Sequence, residues 1–284
     1  MQKKYNLLAK RIFLDNPSDV IIDFGLLKTQ LVNYNTQLSA GGVTASIYFQ
    51  YLPTGSSIGI NSNQALIGAS LLKTPLAINL YKAAEDGKIN LDSNVTLKKE
   101  WLDSSFGDLY KKGAGYQLTL RDAVHIMLRD SDNTAALAIY NTLAKIVPID
   151  QILLSFVDAQ YSTNKDKTIQ IGAGSYSKIM QCLYFACYLT PNDSQQILQY
   201  LVESPYNNRL KLYLPDNLVV AHKIGEYDGK TQKIQSDCGI IYMPNRNYLL
   251  CVLLTGEDPV ASNQIASISQ IVYNYMAGIK INNK

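Results

Sequence analysis

The stretch Gly68-Ala69-Ser70-Leu71-Leu72-Lys73-Thr74-Pro75 places a serine and a lysine three residues apart at a predicted helix start. Residues at this spacing lie on one face of a helix, within reach of each other. Proline lacks an amide donor and is tolerated only near a helix start, so Pro75 sets Ser70 at or just before the first turn. A neutral amine at Lys73 can take the proton of the Ser70 hydroxyl and activate it as a nucleophile.

The spacing of a serine three residues before a lysine is a weak signal by itself, because it recurs at Ser162-Thr163-Asn164-Lys165 and Ser175-Tyr176-Ser177-Lys178. Two other motifs follow Ser70 in chain order. Ser131-Asp132-Asn133 lies on a predicted helix–helix turn, where a polar trio could equally cap a helix. Lys223-Ile224-Gly225 lies on a predicted strand. Neither repeated spacing precedes Ser-Asp-Asn, so the motif order singles out Ser70.

Hydrophobic periodicity predicts the order helix, two strands, helical insert, three strands, helix. Residues 160–174, inside the insert, are predicted to form a loop. We expect an α/β (α+β) fold with a ligand cleft between two lobes. Its predicted parts are a discontinuous α/β lobe (22–66 and 216–284), an all-helical lobe (67–215) and an N-terminal extension (1–21).

The composition excludes several classes of protein. Hydrophobic residues make up 47% and charged residues 17% of the 284 residues, which is typical of a globular protein. The net charge of +3 is too small to indicate a nucleic-acid surface. No apolar run approaches the roughly 18 residues that a membrane-spanning helix needs. The first residues lack the apolar stretch of a signal peptide. The composition does not indicate an oligomeric state.

The four cysteines, with two histidines, form no convincing zinc set, so we expect no metal and no cofactor. Cys182 and Cys187 fall in one predicted helix, five residues apart, and are expected to point in different directions. Cys238 and Cys251 lie on two predicted strands joined by a turn, which would bring them nearly opposite. We expect a buried, reduced pair there, because free cysteine is among the most buried residue types, although a disulfide stays possible.

The three motifs together closely resemble those of the penicillin-recognising serine hydrolases, which include class A β-lactamases and penicillin-binding D,D-peptidases. The resemblance spans about residues 25 to 277. It implies the class A fold, with an antiparallel five-stranded sheet, flanking helices and an all-helical lobe. It also implies a small-molecule or peptidoglycan-peptide substrate and an extracytoplasmic location, although no signal segment is visible.

The same resemblance implies roles for individual residues. Ser70 would be the acylated nucleophile, Lys73 its general base, and Ser131 the relay that passes a proton toward the leaving nitrogen. An acyl-transfer site needs these groups together with donors aimed at the developing oxyanion.

The remaining matched positions would bind substrate. Asn133 would bind the amide side chain of the substrate, and Lys223 would place positive charge near its carboxylate and near Ser131. The backbone N–H groups of Ser70 and Glu226 would form the oxyanion hole, because Gly225 allows close backbone approach.

Two departures from the family pattern matter. Ile224 replaces a threonine or serine, so it cannot supply the hydroxyl that helps to hold a carboxylate, a bond worth roughly 1.5–3 kcal/mol. Class A β-lactamases also carry a glutamate after Ser-Asp-Asn that activates the deacylating water. Here Glu203 lies too late in the chain, and the shortened loop offers Asp158 and Asp166. We therefore expect a serine hydrolase that is acylated by β-lactams or D-Ala-D-Ala-like peptides and deacylates slowly.

Other functions are also compatible with the sequence. An active β-lactamase could use another water activator, with Asp166 as a stand-in. A non-catalytic binding protein could use this fold, and a glutaminase-type amidase shares the Ser70/Lys73 spacing. A Ser-His-Asp triad would have to use His125 or His222, but neither has an accompanying nucleophile-elbow motif.

Overall fold

A five-stranded antiparallel sheet forms the centre of the computed structural model, which describes residues 5–9, 22–165 and 168–279. The strands are β1 Ala45–Tyr51, β2 Ser57–Ile60, β3 Leu66–Ile67, β4 Asn94–Thr96, β5 Gln117–Thr119, β6 Tyr161–Thr163, β7 Ile169–Ile171, β8 Val219–Asp228, β9 Lys233–Tyr242 and β10 Tyr248–Thr255. The order in the large sheet is β2-β1-β10-β9-β8, so β8 is an edge strand. The predicted fold class is confirmed.

Helices cover both faces of this sheet. They are α1 Gly25–Ala40, α2 Lys73–Glu85, α3 Leu120–Arg129, α4 Asn133–Leu143, α5 Ile149–Ile152, α6 Ala173–Phe185, α7 Pro191–Val202 and α8 Val260–Gly278, with 3₁₀ turns at Ala69–Leu72, Lys99–Trp101 and Leu109–Lys112. None of the helices in the described part of the chain is long and apolar enough to cross a membrane.

The sheet separates two hydrophobic cores because its central strands are buried on both faces. On β10, Val252 packs into the core formed with α1 and α8, whereas the adjacent Leu253 packs into the core shared with the helical segment. Successive strand side chains point to opposite faces, so a continuous apolar strand supplies both cores. The boundaries of the two lobes stay a prediction.

Residues 160–174 do not form the irregular loop that the sequence predicted. Strands β6 and β7 make a hairpin within this segment, and β7 also pairs with β3 through Leu66↔Ile171. The prediction missed these strands because each is three residues long, too short for a pattern. Asp166, proposed as a stand-in for the missing glutamate, lies outside the described residues.

Both expectations about the cysteines were wrong. Cys238 and Cys251 are opposite each other on β9 and β10 and form a disulfide. Cys182 and Cys187 form a second disulfide. Helix α6 ends at Phe185, and Ala186 adopts a left-handed conformation with φ 49°. The chain therefore folds back, and the Cys187 N–H donates to the Cys182 carbonyl over 3.0 Å.

The turn between α3 and α4 is held by one buried carboxylate. Asp132 caps α4, because its Oδ1 accepts from the Ala135 N–H at 2.8 Å, while its Oδ2 accepts from the Leu109 N–H at 2.8 Å. Gly107 packs on the same carboxylate with φ 85°, and a Cβ there would lie 2.1 Å from Asp132 Oδ2. The segment that contains Gly107 and Leu109, which precedes β5 in the chain, is thus fixed to the start of α4.

We predict that Gly107→Ala destabilises the fold far more than Gly87→Ala. Both glycines have positive φ, but a Cβ at Gly87 would meet nothing within 4 Å. The conformational cost shared by both is about 1–2 kcal/mol. The clash with Asp132 should at least double the loss at Gly107, to about 3 kcal/mol or more. Urea unfolding of both variants measures the difference, and equal losses would contradict this packing.

Candidate active site

Ser70 and Lys73 meet where a 3₁₀ turn leads directly into α2. Ser70 lies in the turn Ala69–Leu72, and Lys73 begins the helix. Because the turn continues into the helix, the two side chains share a face, and Lys73 Nζ lies 3.0 Å from Ser70 Oγ. Ser70 is half-buried, whereas Lys73 is 7% exposed. The structure therefore brings the predicted nucleophile and base into hydrogen-bonding contact.

The Lys73 amine is held by acceptors on three sides. Besides Ser70, it donates to Asn133 Oδ1 at 2.6 Å and to the backbone carbonyl of Ser131. Burial lowers the pKa of Lys73 to about 8, with the charges of Asp132 and Asp103 acting in the opposite direction. Near neutral pH a useful fraction of this amine is therefore unprotonated.

The Ser131 hydroxyl lies between two lysine amines. Lys223 Nζ donates to Ser131 Oγ at 2.7 Å, and Lys73 Nζ lies 3.4 Å from the same oxygen. Ser131 is fully buried with a left-handed φ of 54°, a conformation that its capped turn imposes. Burial, followed by the charge of Lys73, lowers the pKa of Lys223 well below its usual value. This arrangement provides a continuous path for a proton between the lysines.

The edge strand β8 passes directly beside the Ser70 turn. A Cβ on Gly225 would lie 2.4 Å from Ser236 Oγ, 3.0 Å from Leu71 Cγ and 3.1 Å from the Gly68 carbonyl oxygen, so a side chain there would force these neighbours to shift. Glu226, whose backbone N–H was assigned to the oxyanion hole, is the next residue on this strand. Its carboxylate accepts from Arg209 Nη2 at 3.1 Å.

Arg209 is a charged residue of the site that the sequence did not reveal. It is 2% exposed, and its Nη1 donates to the carbonyls of Gly225 at 3.1 Å and Ser236 at 3.0 Å. Its Nε donates to Ser262 Oγ at 3.1 Å. No motif surrounds Arg209, and only the three-dimensional fold brings it behind β8.

Ile224 does not supply a hydroxyl for carboxylate binding, and neither histidine supplies the base of a Ser-His-Asp triad. The Ile224 side chain is 3% exposed and provides no donor. His222 Nδ1 contacts Asp237 Oδ1 at 2.9 Å, and His125 Nε2 contacts Glu203 Oε2 at 2.6 Å. Within the described ranges neither histidine hydrogen-bonds a serine, so the geometry provides no Ser-His-Asp triad.

The amide of Asn133 is engaged at both ends. Its Oδ1 accepts from Lys73, while its Nδ2 donates to Ser105 Oγ at 2.8 Å and approaches Asp103 Oδ1 at 3.4 Å. The ring of Phe106 lies 5.9 Å from Lys73 Nζ, so this aromatic side chain lies beside the site. Substrate must therefore compete with Ser105 and Asp103 for the Asn133 amide.

A cavity of about 360 Å³ opens beside Lys73, between α2, α4, α5 and β7. Its lining consists of Leu72, Lys73, Leu76, Asp103, Asn133, Ala136, Leu137, Tyr140, Asp150, Leu153 and Ile169. Sequence analysis missed both carboxylates of this cavity, Asp103 and Asp150, because no motif contains them. Asp158 instead pairs with Lys178 at 3.5 Å, and Glu203 is occupied by His125.

Comparisons with known proteins agree with this geometry. A sequence profile of the beta-lactamase enzyme family matches residues 27–276. A beta-lactamase of Phocaeicola vulgatus is 22% identical over 249 residues, covering 78% of this chain and 76% of the relative.

Solved structures share the fold. A mutant of PBP-A, determined as an acyl-enzyme complex with penicillin G, is 22% identical with a TM-score of 0.79, covering 89% of this chain and 97% of that one. The TLA-3 extended-spectrum beta-lactamase is 19% identical with a TM-score of 0.80, covering 89% and 99%. The chain therefore belongs to the beta-lactamase enzyme family and is a serine hydrolase of the penicillin-recognising superfamily.

Proposed function

We propose that this serine hydrolase forms an acyl-enzyme on Ser70 with β-lactams or D-Ala-D-Ala-like peptides and hydrolyses it slowly. The observation that carries the proposal is the contact of 3.0 Å between Lys73 Nζ and Ser70 Oγ, made by a buried amine whose pKa lies near 8. A serine next to such a base can attack a carbonyl at neutral pH.

The contacts from Ser70 to Lys73 and from Lys73 to Ser131 give the order of the proton transfers during acylation. Unprotonated Lys73 takes the Ser70 proton as Oγ bonds to the carbonyl carbon of the substrate. The resulting oxyanion is held by the backbone N–H groups of Ser70 and Glu226. The proton then passes from Lys73 through the Ser131 hydroxyl to the substrate nitrogen, and the carbon–nitrogen bond breaks. The products of this step are the ester on Ser70 and the freed amine.

Substrate is held at two ends of this centre. Lys223 is the group at β8 that would meet a substrate carboxylate, whose negative charge would favour the protonated amine. Arg209 is buried behind the strand and paired with Glu226, so it does not replace the hydroxyl that Ile224 cannot provide. Asn133, at the start of α4, contacts the acyl side. The edge position of β8 supports binding of an extended peptide alongside it.

Deacylation is the step that this site supports poorly. Among the described residues, no carboxylate hydrogen-bonds Ser70 or Lys73, which are the groups nearest the ester. A water molecule attacking the ester would therefore lack a positioned general base. This favours a long-lived acyl-enzyme, as expected for a penicillin-binding, D,D-peptidase-like protein or a poor β-lactamase.

An active β-lactamase is the second candidate, because Asp103 and Asp150 line the cavity beside Lys73. Either carboxylate could activate water if the acyl-enzyme rearranged. Persistence of the adduct separates the two candidates.

The two disulfides support an extracytoplasmic location, since such bonds persist in oxidising compartments.

We predict that benzylpenicillin gives a lasting adduct on Ser70 in the wild-type protein and no adduct in Ser70→Ala. Ser162→Ala is the matched control, because Ser162 also precedes a lysine by three residues but lies exposed on β6. Intact-mass spectrometry over time, with peptide mapping, measures both the site and the persistence.

Each other outcome has a distinct meaning. Rapid penicillin hydrolysis without an adduct would identify an active β-lactamase and overturn slow deacylation. Labelling of Ser70→Ala would move the nucleophile elsewhere. Failure of the wild-type protein to label would favour a binding protein, or an amidase if ammonia were released from glutamine.

We also predict that the acylation rate rises with pH up to about 8. Only unprotonated Lys73 can accept the Ser70 proton, and below its pKa the unprotonated fraction grows tenfold per pH unit. The rate constant for benzylpenicillin should therefore increase about 50-fold from pH 6 to 8 and level off about twofold higher above pH 9. Stopped-flow acylation across this range tests the prediction, and a flat profile would exclude Lys73 as the base.

A further inference from the structure

We propose that Asp103 makes the site selective for acyl donors that carry an ammonium group on an otherwise apolar acyl side chain. This inference rests on the proposed acyl transfer and names its substrate class. The cavity beside Lys73 would hold the apolar part of that side chain, and the Asp103 carboxylate would pair with its ammonium group. Asp103 is a specificity-determining residue in this account and takes no part in the bond-breaking step.

The contacts of Asp103 leave half of its carboxylate available. Its Oδ1 accepts from the Ser105 N–H at 2.8 Å and from the Ser105 hydroxyl, and lies 3.4 Å from Asn133 Nδ2. Within residues 5–9, 22–165 and 168–279, no donor hydrogen-bonds its Oδ2. Burial raises the pKa of Asp103, but the bonds from Ser105 and Asn133 and the charge of Lys73 outweigh it, and the net pKa is lowered. The group is therefore an oriented anion.

Asp103 also changes what Asn133 can bind. The Nδ2 group of Asn133 is already directed at Ser105 and Asp103, so it is a poor donor for a neutral acylamido carbonyl. A carbonyl oxygen brought to this point would also face the Asp103 anion. A ligand ammonium group would instead find an acceptor there. The contacts that disfavour binding of a neutral carbonyl therefore favour an acyl side chain that carries an ammonium group.

The cavity walls suit the rest of such a side chain. Apolar groups from α2, α4 and β7 form most of the lining, for example Leu76, Leu137 and Ile169. At the far side, Asp150 accepts from the Tyr140 hydroxyl at 2.6 Å and adds a second anion. Once Lys73 is unprotonated, as acylation requires, the described residues that line the cavity include two carboxylates and no cation. A ligand ammonium group would restore the charge balance.

The base chemistry agrees with this selectivity. The Asp103 charge raises the pKa of Lys73 and so opposes loss of its proton. An ammonium group paired with Asp103 would cancel part of that effect. Binding of an aminoacyl substrate would thus favour the unprotonated form of Lys73.

The test compares ampicillin with benzylpenicillin, which differ by one amino group on the acyl side chain. Second-order acylation rate constants are measured near pH 6, where an α-amino group is protonated. The wild-type protein should prefer ampicillin, and Asp103→Asn should lower the ampicillin/benzylpenicillin ratio about fivefold. The direct effect of the substitution on the pKa of Lys73 is common to both compounds and cancels in the ratio, so the ratio reports only what the amino group of ampicillin adds.

Matched variants sharpen the result. Asp108→Asn removes an exposed carboxylate of the same loop, one that pairs with Lys111 at 2.6 Å, and should leave the ratio unchanged. Asp103→Glu keeps the charge and should retain most of the preference. In the wild-type protein, raising sodium chloride to about 1 M should also lower the ratio, because salt screens this partly exposed pair. That measurement does not depend on a variant folding.

The outcomes are separable. A ratio that Asp103→Asn and salt leave unchanged, with Ser70 still labelled by both compounds, overturns the inference and leaves the proposed function intact. An equal drop in Asp108→Asn overturns it as well, since the effect would then be general electrostatics. Absence of any adduct on Ser70 with either compound overturns the proposed function, and the inference falls with it.

Discussion

The whole site depends on one buried amine. Lys73 can act as a base only because its burial makes the ammonium form costly, and it can be buried only because three oxygen acceptors satisfy its protons. Those acceptors belong to Ser70, Ser131 and Asn133, so one side chain joins the proposed nucleophile to the turn that carries the proposed proton relay. Displacement of any acceptor would change both the geometry and the proton affinity of the base.

The fold keeps these distant segments in place through backbone contacts more than through surface interactions. Asp132 fixes the turn bearing Ser131, and Gly107 leaves room for that carboxylate. On the other side, Gly225 lets β8 approach the Ser70 turn closely enough for Lys223 to reach Ser131. The proposed catalytic groups therefore lie on segments that these contacts hold together, and helices α2 and α4 supply much of the cavity wall.

The sequence predicted the parts of this arrangement that local rules encode. The spacing of Ser70 and Lys73 follows from helical geometry, and the central strands follow from their apolar runs. Arg209 could not be predicted as a site residue, because its contacts with the site form only when the fold brings one carbonyl of β8 and one of β9 to its guanidinium group. Asp103 was missed for the same reason, since its partner Asn133 lies 30 residues away.

The cysteine predictions failed for a different reason, namely that pairing depends on where a helix ends and on strand register. One left-handed residue, Ala186, turns Cys187 back toward Cys182, and no propensity at that position signals it. For Cys238 and Cys251, the strand and turn patterns predicted the hairpin but not the oxidation state. Burial of a cysteine is compatible with both a thiol and a disulfide.

Taken as a whole, the site has opposite charges at its two ends, and this polarity has a consequence for recognition. Lys223 lies at the β8 end, where Arg209 is paired with Glu226, whereas Asp103 and Asp150 lie at the cavity end. In the proposed binding mode, a substrate with a carboxylate on its leaving side and an ammonium group on its acyl side would bind in one direction, because the reverse orientation would place like charges together. Complementary charges of this kind contribute more to specificity than to affinity. Orientation in turn fixes which carbonyl faces Ser70, so the charges at the two ends select the bond that the central lysine and serine can cleave.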